Sequence, residues 1–335
     1  MSTLRSFPRV TTRLLRIHNR PLSRSISTSP RYLSPPTQSR QPPPPPDTES
    51  AALKNNEPAT YLGTTKRLPE FNLVDKVVCV SGAGRGLGLV QAEALLEAGA
   101  TVYALDRLET PSPDFDRIAE RAKNELGTSL SYHRIDVRDV ESLNSIVEDI
   151  AKKEGRMDGL IAAAGIQQET PALEYSAKDV DLMMSVNVTG VFMTAQAVAK
   201  QMVKFGNGGS IVLIASMSGT IANRGLICPA YNASKSAVLQ LARNLASEWG
   251  EHNIRVNTIS PGYIVTAMVE ELFKKFPERR TEWPKQNMLN RLSLPEEYRG
   301  AAVFLVSDAS SFMTDLWQAP IFAWMEDMPH GKEVI

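Results

Sequence analysis

Tyr231 and Lys235 are the residues of this chain whose types and spacing best suit proton-transfer chemistry. They lie four positions apart in Y-N-A-S-K, within an Ala- and Leu-rich stretch that predicts a helix over 231–250. Side chains at i and i+4 share one helix face, so the ammonium can lie beside the phenol. Ser216, which follows the apolar run I-V-L-I-A, adds a hydroxyl upstream. A phenol, a cation and a serine together indicate proton transfer to or from a substrate oxygen.

A glycine-rich turn between a predicted strand and a predicted helix suits a dinucleotide. The segment S-G-A-G-R-G-L-G follows the apolar run V-V-C-V. Its first glycine permits a tight turn, and the later ones let backbone approach a pyrophosphate at the N-terminus of the next helix. The predicted contacts in this turn are Gly82, Arg85, Gly86, Leu87 and Gly88. Combined with the Tyr–Lys pair, the turn indicates nicotinamide redox chemistry.

Asp106 follows the second predicted strand, about 20 residues after this turn, where an acid binds the adenosine ribose. Its carboxylate would accept hydrogen bonds from the ribose hydroxyls and repel a 2′-phosphate, which favours NAD(H). Arg85 and Arg107 favour NADP(H), which stays open as the alternative cofactor.

Two further strand ends supply expected cofactor contacts. Asp136 and Val137 come after the third predicted strand and suit the adenine. Ala163, Ala164 and Gly165 end the fourth, where small residues would let the backbone meet the ribose.

Apolar strand-like runs alternate with helical patterns from residue 71 onward. The strands are predicted at 76–81, 101–105, 130–135, 158–163, 210–215 and 254–259. The helices are predicted near 86–98, 114–126, 139–154, 178–204, 231–250 and 295–307. This alternation predicts an α/β single domain with a doubly wound parallel sheet, whose ligands bind beyond the carboxyl ends of the strands. The candidate site residues therefore gather along one edge of the sheet.

Composition excludes several classes of function. The chain has 335 residues, 42% of them hydrophobic, with a formal net charge of zero and a pI of about 6.9, so nothing indicates nucleic acid as a partner. Cys79 and Cys228 form no disulfide framework, and the four histidines include no metal-spaced pair. No uninterrupted apolar run has the length of a membrane span. We expect neither a metal nor a membrane partner.

Residues 1–33 are predicted to be a mitochondrial transit peptide. No acid occurs before Asp47, and arginines recur at helical spacing with apolar residues interleaved. Such an Arg- and Ser-rich amphipathic start is typical of import into the mitochondrial matrix, and the alternative is a disordered basic tail. The arginines are Arg5, Arg9, Arg13, Arg16, Arg20 and Arg24. The segment 34–65, which contains the run Pro42 to Pro46, is predicted to be a Pro-rich disordered linker.

The ordered motifs resemble those of the short-chain dehydrogenase/reductase family over about residues 71–314. They are S-G-A-G-R-G-L-G, D-V, A-A-G, N-V-T-G, I-V-L-I-A-S, Y-N-A-S-K, R-V-N, P-G-Y-I-V-T and the helix start P-E-E. The resemblance implies a Rossmann fold over 66–314. In the family the fourth strand usually ends in Asn-Asn-Ala-Gly, and here alanines replace both asparagines.

The resemblance also implies roles for the catalytic residues. Tyr231 would be the general acid/base, and Lys235 would lower its pKa together with the oxidised nicotinamide while holding the nicotinamide ribose. Ser216 would bind the substrate oxygen, and Asn187 would support a proton-relay water. The plainer alternatives are that Ser216 caps a strand and that Asn187 is a polar residue within a helix.

The segment P-G-Y-I-V-T contributes further contacts by the same resemblance. These are Pro261, Gly262, Ile264 and Thr266, with the Ile264 backbone and Thr266 meeting the nicotinamide carboxamide. The amphipathic stretch 267–290 predicts either a mobile lid over the substrate or helices packed on the core.

A finer resemblance concerns the segment S-M-S-G-T-I-A-N from Ser216 to Asn223. It is similar to the polyol dehydrogenase/ketose reductase branch, with its mannitol, arabinitol, sorbose and xylulose enzymes. This implies a small-molecule polyol or ketose substrate contacted by Ser216, Ser218, Asn223 and Tyr231. The alternatives are a 3-oxoacyl-carrier-protein reductase that uses NADPH and a catalytically silent scaffold protein.

The tail, residues 315–335, departs from the family pattern. The usual Thr-Gly, strand and Asp-Gly-Gly are replaced by D-L-W-Q-A-P-I-F-A-W-M-E-D-M-P-H-G. We therefore expect the final strand to be absent. Possible codons for Gln318 to Pro329, read one frame later, permit G-A-D-L-R-V-D-G-G-Y-A, which indicates a shifted reading frame. The family implies a homo-oligomer, a dimer or tetramer, whose contact near this tail would then be impaired.

Overall fold

The computed structural model describes residues 68–223, 225–315 and 317–318. The predicted transit peptide, the linker and the tail beyond residue 318 lie outside the described residues.

The strands form one parallel sheet of seven strands in the order β3-β2-β1-β4-β5-β6-β7. Their bounds are β1 Val77–Ser81, β2 Thr101–Asp106, β3 Ser129–Arg134, β4 Gly159–Ala162, β5 Gly209–Ile214, β6 Ile254–Ile259 and β7 Trp317–Gln318. The order reverses between β1 and β4, so the crevice at the carboxyl edge opens there. The predicted doubly wound parallel sheet is confirmed.

Nine α-helices connect the strands within the described residues. They are α1 Gly86–Glu97, α2 Pro113–Arg121, α3 Val140–Glu154, α4 Ala177–Met184, α5 Val191–Phe205, α6 Pro229–Trp249, α7 Ala267–Lys275, α8 Arg279–Lys285 and α9 Arg299–Val306. A π-helical turn, Ala122–Leu126, extends α2, and a 3₁₀ turn, Pro295–Tyr298, precedes α9.

The central strands of the sheet are buried on both faces, which explains their continuous apolar sequences. All five residues of β1 are buried. Val77 and Cys79 belong to the core cluster on one face of the sheet, and Val78 and Val80 belong to the cluster on the other. Successive strand residues point to opposite faces, so a strand covered by helices on both sides must be apolar at every position.

The long helix predicted at 178–204 is interrupted in the structure. The π-helical segment Ser185–Gly190 separates α4 from α5. A Cβ on Gly190 would lie 2.5 Å from Val137 Cγ2, so the helix approaches the loop after β3 too closely for any larger residue. By length and composition, 177–205 is also the one described helix that could cross a membrane, with a mean hydropathy of 1.4 in its most apolar window. Half of that window is buried, as expected for a core helix.

The expectation that the final strand is absent was wrong. Trp317 and Gln318 form β7 and pair in parallel with Thr258 and Ile259 of β6. The Asp315 N–H also donates to the Val256 carbonyl at 2.9 Å. Strand pairing uses backbone groups, so an atypical side-chain sequence can still add a short strand at this edge.

Candidate active site

The glycines of the first turn are required by close backbone contacts. Gly82 has a φ of +70°, and a Cβ there would lie 2.7 Å from the Ala164 backbone nitrogen. A Cβ on Gly88 would lie 2.4 Å from the Gly82 carbonyl oxygen. The start of α1 is therefore packed directly on the turn, as the sequence predicted.

The N-terminus of α1 fits an anionic ligand. Arg85 at the N-cap position is extended and gives the helix no side-chain cap. A Cβ on Gly86 would meet nothing within 4 Å, so the space in front of this turn is open. Leu87 packs against the core behind it. Open space, backbone N–H groups and the helix dipole fit the pyrophosphate of a dinucleotide.

Asp106 lies directly beside this turn. Its Oδ2 accepts a hydrogen bond from the Gly84 N–H at 2.9 Å, and its Oδ1 accepts one from the Leu108 N–H at 3.1 Å. A carboxylate has about four acceptor positions, so about two remain for ribose hydroxyls. Arg107 lines a cleft of about 600 Å³ that also contains Asp136. The sequence-predicted ribose residue and its arginine neighbour thus lie at one end of the expected dinucleotide site.

The two residues expected at the adenine are engaged by the protein itself. The Asp136 carboxylate accepts from Arg138 Nε at 3.0 Å and from Arg138 Nη2 at 2.6 Å, and this pair lowers the pKa of Asp136. Val137 is buried against Gly190. Contact with adenine at these positions stays a prediction.

The loop after β4 connects the dinucleotide turn to the catalytic lysine. Ala163 N–H donates to the Ser81 carbonyl at 3.1 Å, and Ala164 N–H donates to Ser81 Oγ at 3.3 Å. A Cβ on Gly165 would lie 3.6 Å from Lys235 Nζ. These small residues keep the backbone close to the dinucleotide turn and to Lys235. Ser81 is a supporting residue that the sequence pattern did not single out.

Asn187 is fully buried in the π-helical segment. Its Oδ1 accepts from the Ile166 N–H at 2.8 Å, and its Nδ2 donates to the Ile166 carbonyl at 2.9 Å and to Ser234 Oγ at 3.0 Å. The side chain therefore fixes the loop after β4 against α6. Its predicted role beside a relay water stays a prediction, and its contacts are those of a positioning residue.

Lys235 is buried, with 5% of its surface exposed. Its Nζ donates to the Ile214 carbonyl at 2.7 Å and lies 5.6 Å from the centre of the Tyr231 ring. Burial lowers the pKa of Lys235 from 10.5 to about 8. The predicted i, i+4 placement of the ammonium beside the phenol is what the structure shows.

Tyr231 has a raised pKa in the protein alone. Burial raises the pKa to about 12, a hydrogen bond with Ser216 lowers it, and the nearby Cys228 raises it. In the protein without cofactor, the expected lowering of this pKa by Lys235 is not seen, and burial determines the direction of the shift. A phenol in this state is a proton donor, and it needs a further positive charge nearby to become a base at neutral pH.

Ser216 both caps a turn and faces the phenol. Its Oγ accepts from the Ser218 N–H at 3.1 Å at the start of the 3₁₀ turn Met217–Gly219. The same side chain hydrogen-bonds Tyr231. The capping interpretation of Ser216 is therefore confirmed, and its role in binding the substrate oxygen stays a prediction.

Asn223 is held beside the site by a neighbouring asparagine. Its Oδ1 accepts from Asn232 Nδ2 at 3.0 Å, and Asn232 also donates to the Ile221 carbonyl at 2.9 Å. Burial raises the pKa of Tyr263, and a hydrogen bond between the Asn223 side chain and Tyr263 partly opposes this rise. Asn232 was not predicted from the sequence, although it lies next to Tyr231. Ser218, in the 3₁₀ turn Met217–Gly219, is also buried.

The stretch 267–290 packs on an apolar cluster instead of standing free. Phe273 and Trp283 are 5% and 4% exposed. Trp283 stacks on Tyr263, with ring centres 4.2 Å apart and planes at 9°. Tyr231 packs against this cluster, which also contains Met217, Leu226 and Cys228. Of the two alternatives for this stretch, the core-packed helices describe the structure, and they cover the side of the site next to Tyr231.

The backbone of the P-G-Y-I-V-T segment joins this cluster to the sheet. The Pro261 carbonyl accepts from the Met217 N–H at 2.9 Å, and Ile264 pairs with Ser293. Thr266 Oγ1 caps α7 by accepting from the Val269 N–H at 3.4 Å. The Gly262 backbone hydrogen-bonds the Tyr298 hydroxyl. The four predicted residues are thus placed at the carboxyl edge of β6.

One ion pair at the site has no counterpart in the sequence patterns. Arg279, at the start of α8, donates two parallel hydrogen bonds to Glu169 of the loop after β4, each 2.9 Å long. The two residues are 110 positions apart, so no local periodicity could join them.

No metal cluster belongs to this site. In the part of the chain that the structure describes, no three histidine, cysteine or acidic side chains come together in a way that could hold a metal ion.

Comparisons with known proteins agree with this geometry. The family model described as "Enoyl-(Acyl carrier protein) reductase" matches residues 82–315. A D-arabinitol 2-dehydrogenase (ribulose-forming) of Candida tropicalis is 34% identical over 77% of this chain and 95% of its own length. The family model alone covers most of the described residues.

Two solved structures share the fold. A xylitol dehydrogenase with bound NAD⁺ superposes with a TM-score of 0.68 at 29% identity, covering 76% of this chain and 99% of its own. A gluconate 5-dehydrogenase from Burkholderia cenocepacia, in complex with NADP and tartrate, superposes with a TM-score of 0.67 at 31% identity, covering 75% and 95%. The chain belongs to the short-chain dehydrogenase/reductase family and is an NAD(P)-dependent alcohol dehydrogenase/ketone reductase that resembles its polyol dehydrogenase branch.

Proposed function

We propose that the protein interconverts a sugar alcohol and the corresponding ketose, using NAD(H). The observation that carries the proposal is the placement of Ser216, Tyr231 and Lys235 together beside the dinucleotide turn. The arabinitol and xylitol dehydrogenases named above support the polyol class.

The residues act on the proton of the hydroxyl that becomes a carbonyl. Ser216 orients the substrate oxygen, and Tyr231 takes the hydroxyl proton during oxidation or returns it during reduction. Lys235, fixed by the Ile214 carbonyl, presents its charge beside the phenol and the expected ribose. A bound nicotinamide supplies the hydride acceptor or donor and, when oxidised, a second positive charge.

The preference for NAD(H) is supported by Asp106. Its carboxylate is fixed by the N–H groups of Gly84 and Leu108, so its charge faces the predicted ribose. Asp106→Asn keeps the side-chain shape and removes the charge. We expect the ratio of kcat/KM for NAD⁺ over NADP⁺ to fall roughly tenfold, about 1.4 kcal/mol. Asp114→Asn, on the surface of α2, is the control. An unchanged ratio would show that Asp106 does not face the ribose.

The substrate class is tested with a panel. Initial rates of the purified protein should be measured with arabinitol, xylitol, mannitol and galactitol, and with the matching ketoses, in the presence of each nicotinamide cofactor. Turnover of a polyol/ketose pair with NAD(H) is the expected result. Turnover confined to 3-oxoacyl thioesters with NADPH would instead support the 3-oxoacyl-carrier-protein reductase. Absence of all turnover, with cofactor still bound, would support the scaffold alternative.

We further propose that the protein acts in the mitochondrial matrix as a homo-oligomer. The Arg-rich stripe of residues 1–33 supports the location. The resemblance to the family supports a dimer or tetramer, which the atypical tail would weaken.

A further inference from the structure

The relatives named above divide into enzymes of uncharged polyols and enzymes of a sugar acid, and the family resemblance does not choose between them. A sugar acid differs from its alditol by a carboxylate at one end. A buried carboxylate needs a cation or several hydrogen-bond donors to compensate for its lost hydration. The charges at the rim of the substrate site therefore bear on the substrate class.

Arg279 and Glu169 are placed at this rim. The Arg279 guanidinium lies 4.2 Å from the centre of the Phe276 ring. It also lies 5.4 Å from the ring centre of Trp283, which belongs to the cluster that covers Tyr231. The charge of Glu169 raises the pKa of Cys228, three residues before Tyr231. The next residue of the loop, Thr170, donates its N–H to the Ile227 carbonyl at 3.0 Å. The pair thus borders the start of the helix that carries the phenol.

The guanidinium of Arg279 is paired with Glu169 through both of its terminal nitrogens. Both of its terminal nitrogens donate to the carboxylate, and the two side chains are only 13% and 26% exposed. A bidentate pair of this geometry is the arrangement in which an arginine would otherwise bind a substrate carboxylate. Glu169 therefore occupies the position that a sugar acid would need, and its charge repels one.

Two neighbouring arginines and the catalytic lysine do not replace Arg279. Arg280 pairs with Glu270 at the surface and Arg291 pairs with Glu297, with side chains 61% and 52% exposed. Lys235 is bound to the Ile214 carbonyl within the catalytic group.

We infer that the Glu169–Arg279 ion pair determines substrate charge, admitting uncharged polyols and rejecting sugar acids. The inference rests on the proposed function. Glu169 and Arg279 are specificity-determining residues, because they act on the far end of the substrate and not on the transferred proton.

The test compares D-arabinitol with D-arabinonate, which differ only in the charged end. The kcat/KM of each with NAD⁺ should be measured for the wild type, Glu169→Gln, Arg279→Gln and the double variant, with thermal unfolding as a check on folding. In wild type the alditol should be the better substrate. Glu169→Gln frees the guanidinium, so the aldonate-to-alditol ratio should rise about tenfold or more. Added salt should reduce that rise.

The single Arg279→Gln variant and the double variant are the matched controls. Neither offers an unpaired cation, so neither should raise the ratio. If the contact between α8 and the loop is purely structural, all three variants should lose kcat/KM equally for both compounds. Such a result would overturn the inference. A wild type that prefers the aldonate would overturn it without any variant. A wild type inactive on every polyol and ketose of the panel, but active on another ketone, would overturn the proposed function, and this inference with it.

Discussion

At the scale of single residues, burial controls the two catalytic ionisations. It raises the pKa of Tyr231 to about 12 and lowers that of Lys235 to about 8, so both groups are shifted away from their charged forms. The sequence identified both residues, because a Tyr-x-x-x-Lys spacing places them on one helix face. It could not predict their protonation, which depends mainly on how deeply the fold buries both groups and, for Tyr231, on contact with Ser216 and Cys228.

Removal of Lys235 tests the cost of its burial. Below about pH 8 the ammonium is charged in both the folded and the unfolded chain, so the full free-energy cost of burying the charge is present. Between about pH 8 and 10.5 the folded chain loses this proton first, so the cost of burial decreases. The free energy of unfolding of the wild type should therefore rise relative to Lys235→Met by about 2 kcal/mol from pH 7 to 9.5.

Urea unfolding of the cofactor-free proteins at several pH values measures this difference. The range ends below the window in which Tyr231, with its raised pKa, would act in the opposite direction. If the free energy of unfolding changes with pH in the same way for the two proteins, the folded-state pKa of Lys235 is not lowered.

At the scale of elements, local patterns predicted the sheet well. Each of the first six strands has both ends within one residue of the predicted bounds, because apolar runs bounded by glycine and polar residues define buried parallel strands. The interruption of the helix at Ser185–Gly190 was missed. Gly190 there lies against Val137, about fifty positions away, and no local pattern shows such a contact. The strand β7 was missed because backbone pairing does not depend on the side chains that the pattern used.

Gly88→Ala tests the packing of α1 on the dinucleotide turn. The new methyl group would lie 2.4 Å from the Gly82 carbonyl, so α1 must shift away from β1. We expect the Kd for NAD⁺ to increase about tenfold or more, the equivalent of at least about 1.4 kcal/mol. Fluorescence titration of the cofactor measures it.

Gly300→Ala is the matched control, because its Cβ would meet nothing within 4 Å. Alanine in place of this helical glycine should leave cofactor affinity unchanged and increase stability by up to ~1 kcal/mol. Equal affinities in the two variants would refute the close packing of Gly88.

At the scale of the whole molecule, contacts between distant segments complete the site and hold the C-terminal part. Arg255 of β6 is half-buried and donates to the Leu305, Ser307 and Met313 carbonyls, which joins the end of α9 to the sheet. Like the pair of Glu169 with Arg279, this contact joins segments that are far apart in the chain. The R-V-N motif includes Arg255, but it does not identify the partners of this side chain. Charge distribution at the same scale predicts the separate role of residues 1–33.

Deletion of residues 1–33 should change location without changing catalysis. The arginine stripe and its interleaved apolar residues supply the signal, whereas every described site residue lies after residue 80. A fusion of residues 1–50 to a fluorescent reporter should enter mitochondria, and kcat/KM of the shortened enzyme should equal that of the full chain. A cytosolic reporter, or a mature protein in cells that begins at Ser2, would contradict the targeting role.

The central claim is that Tyr231 carries the transferred proton, and Tyr231→Phe tests it most directly. Phenylalanine keeps the ring packed on the cluster and removes only the hydroxyl. The account predicts that kcat/KM for the best polyol falls by about 10²–10⁴-fold, while NAD⁺ affinity and folding are retained. Tyr103→Phe, which removes a buried hydroxyl bonded to Glu154 in the body of the sheet, should keep its activity. Retention of more than about a tenth of kcat/KM by Tyr231→Phe, a loss below ~1.4 kcal/mol, would contradict the account.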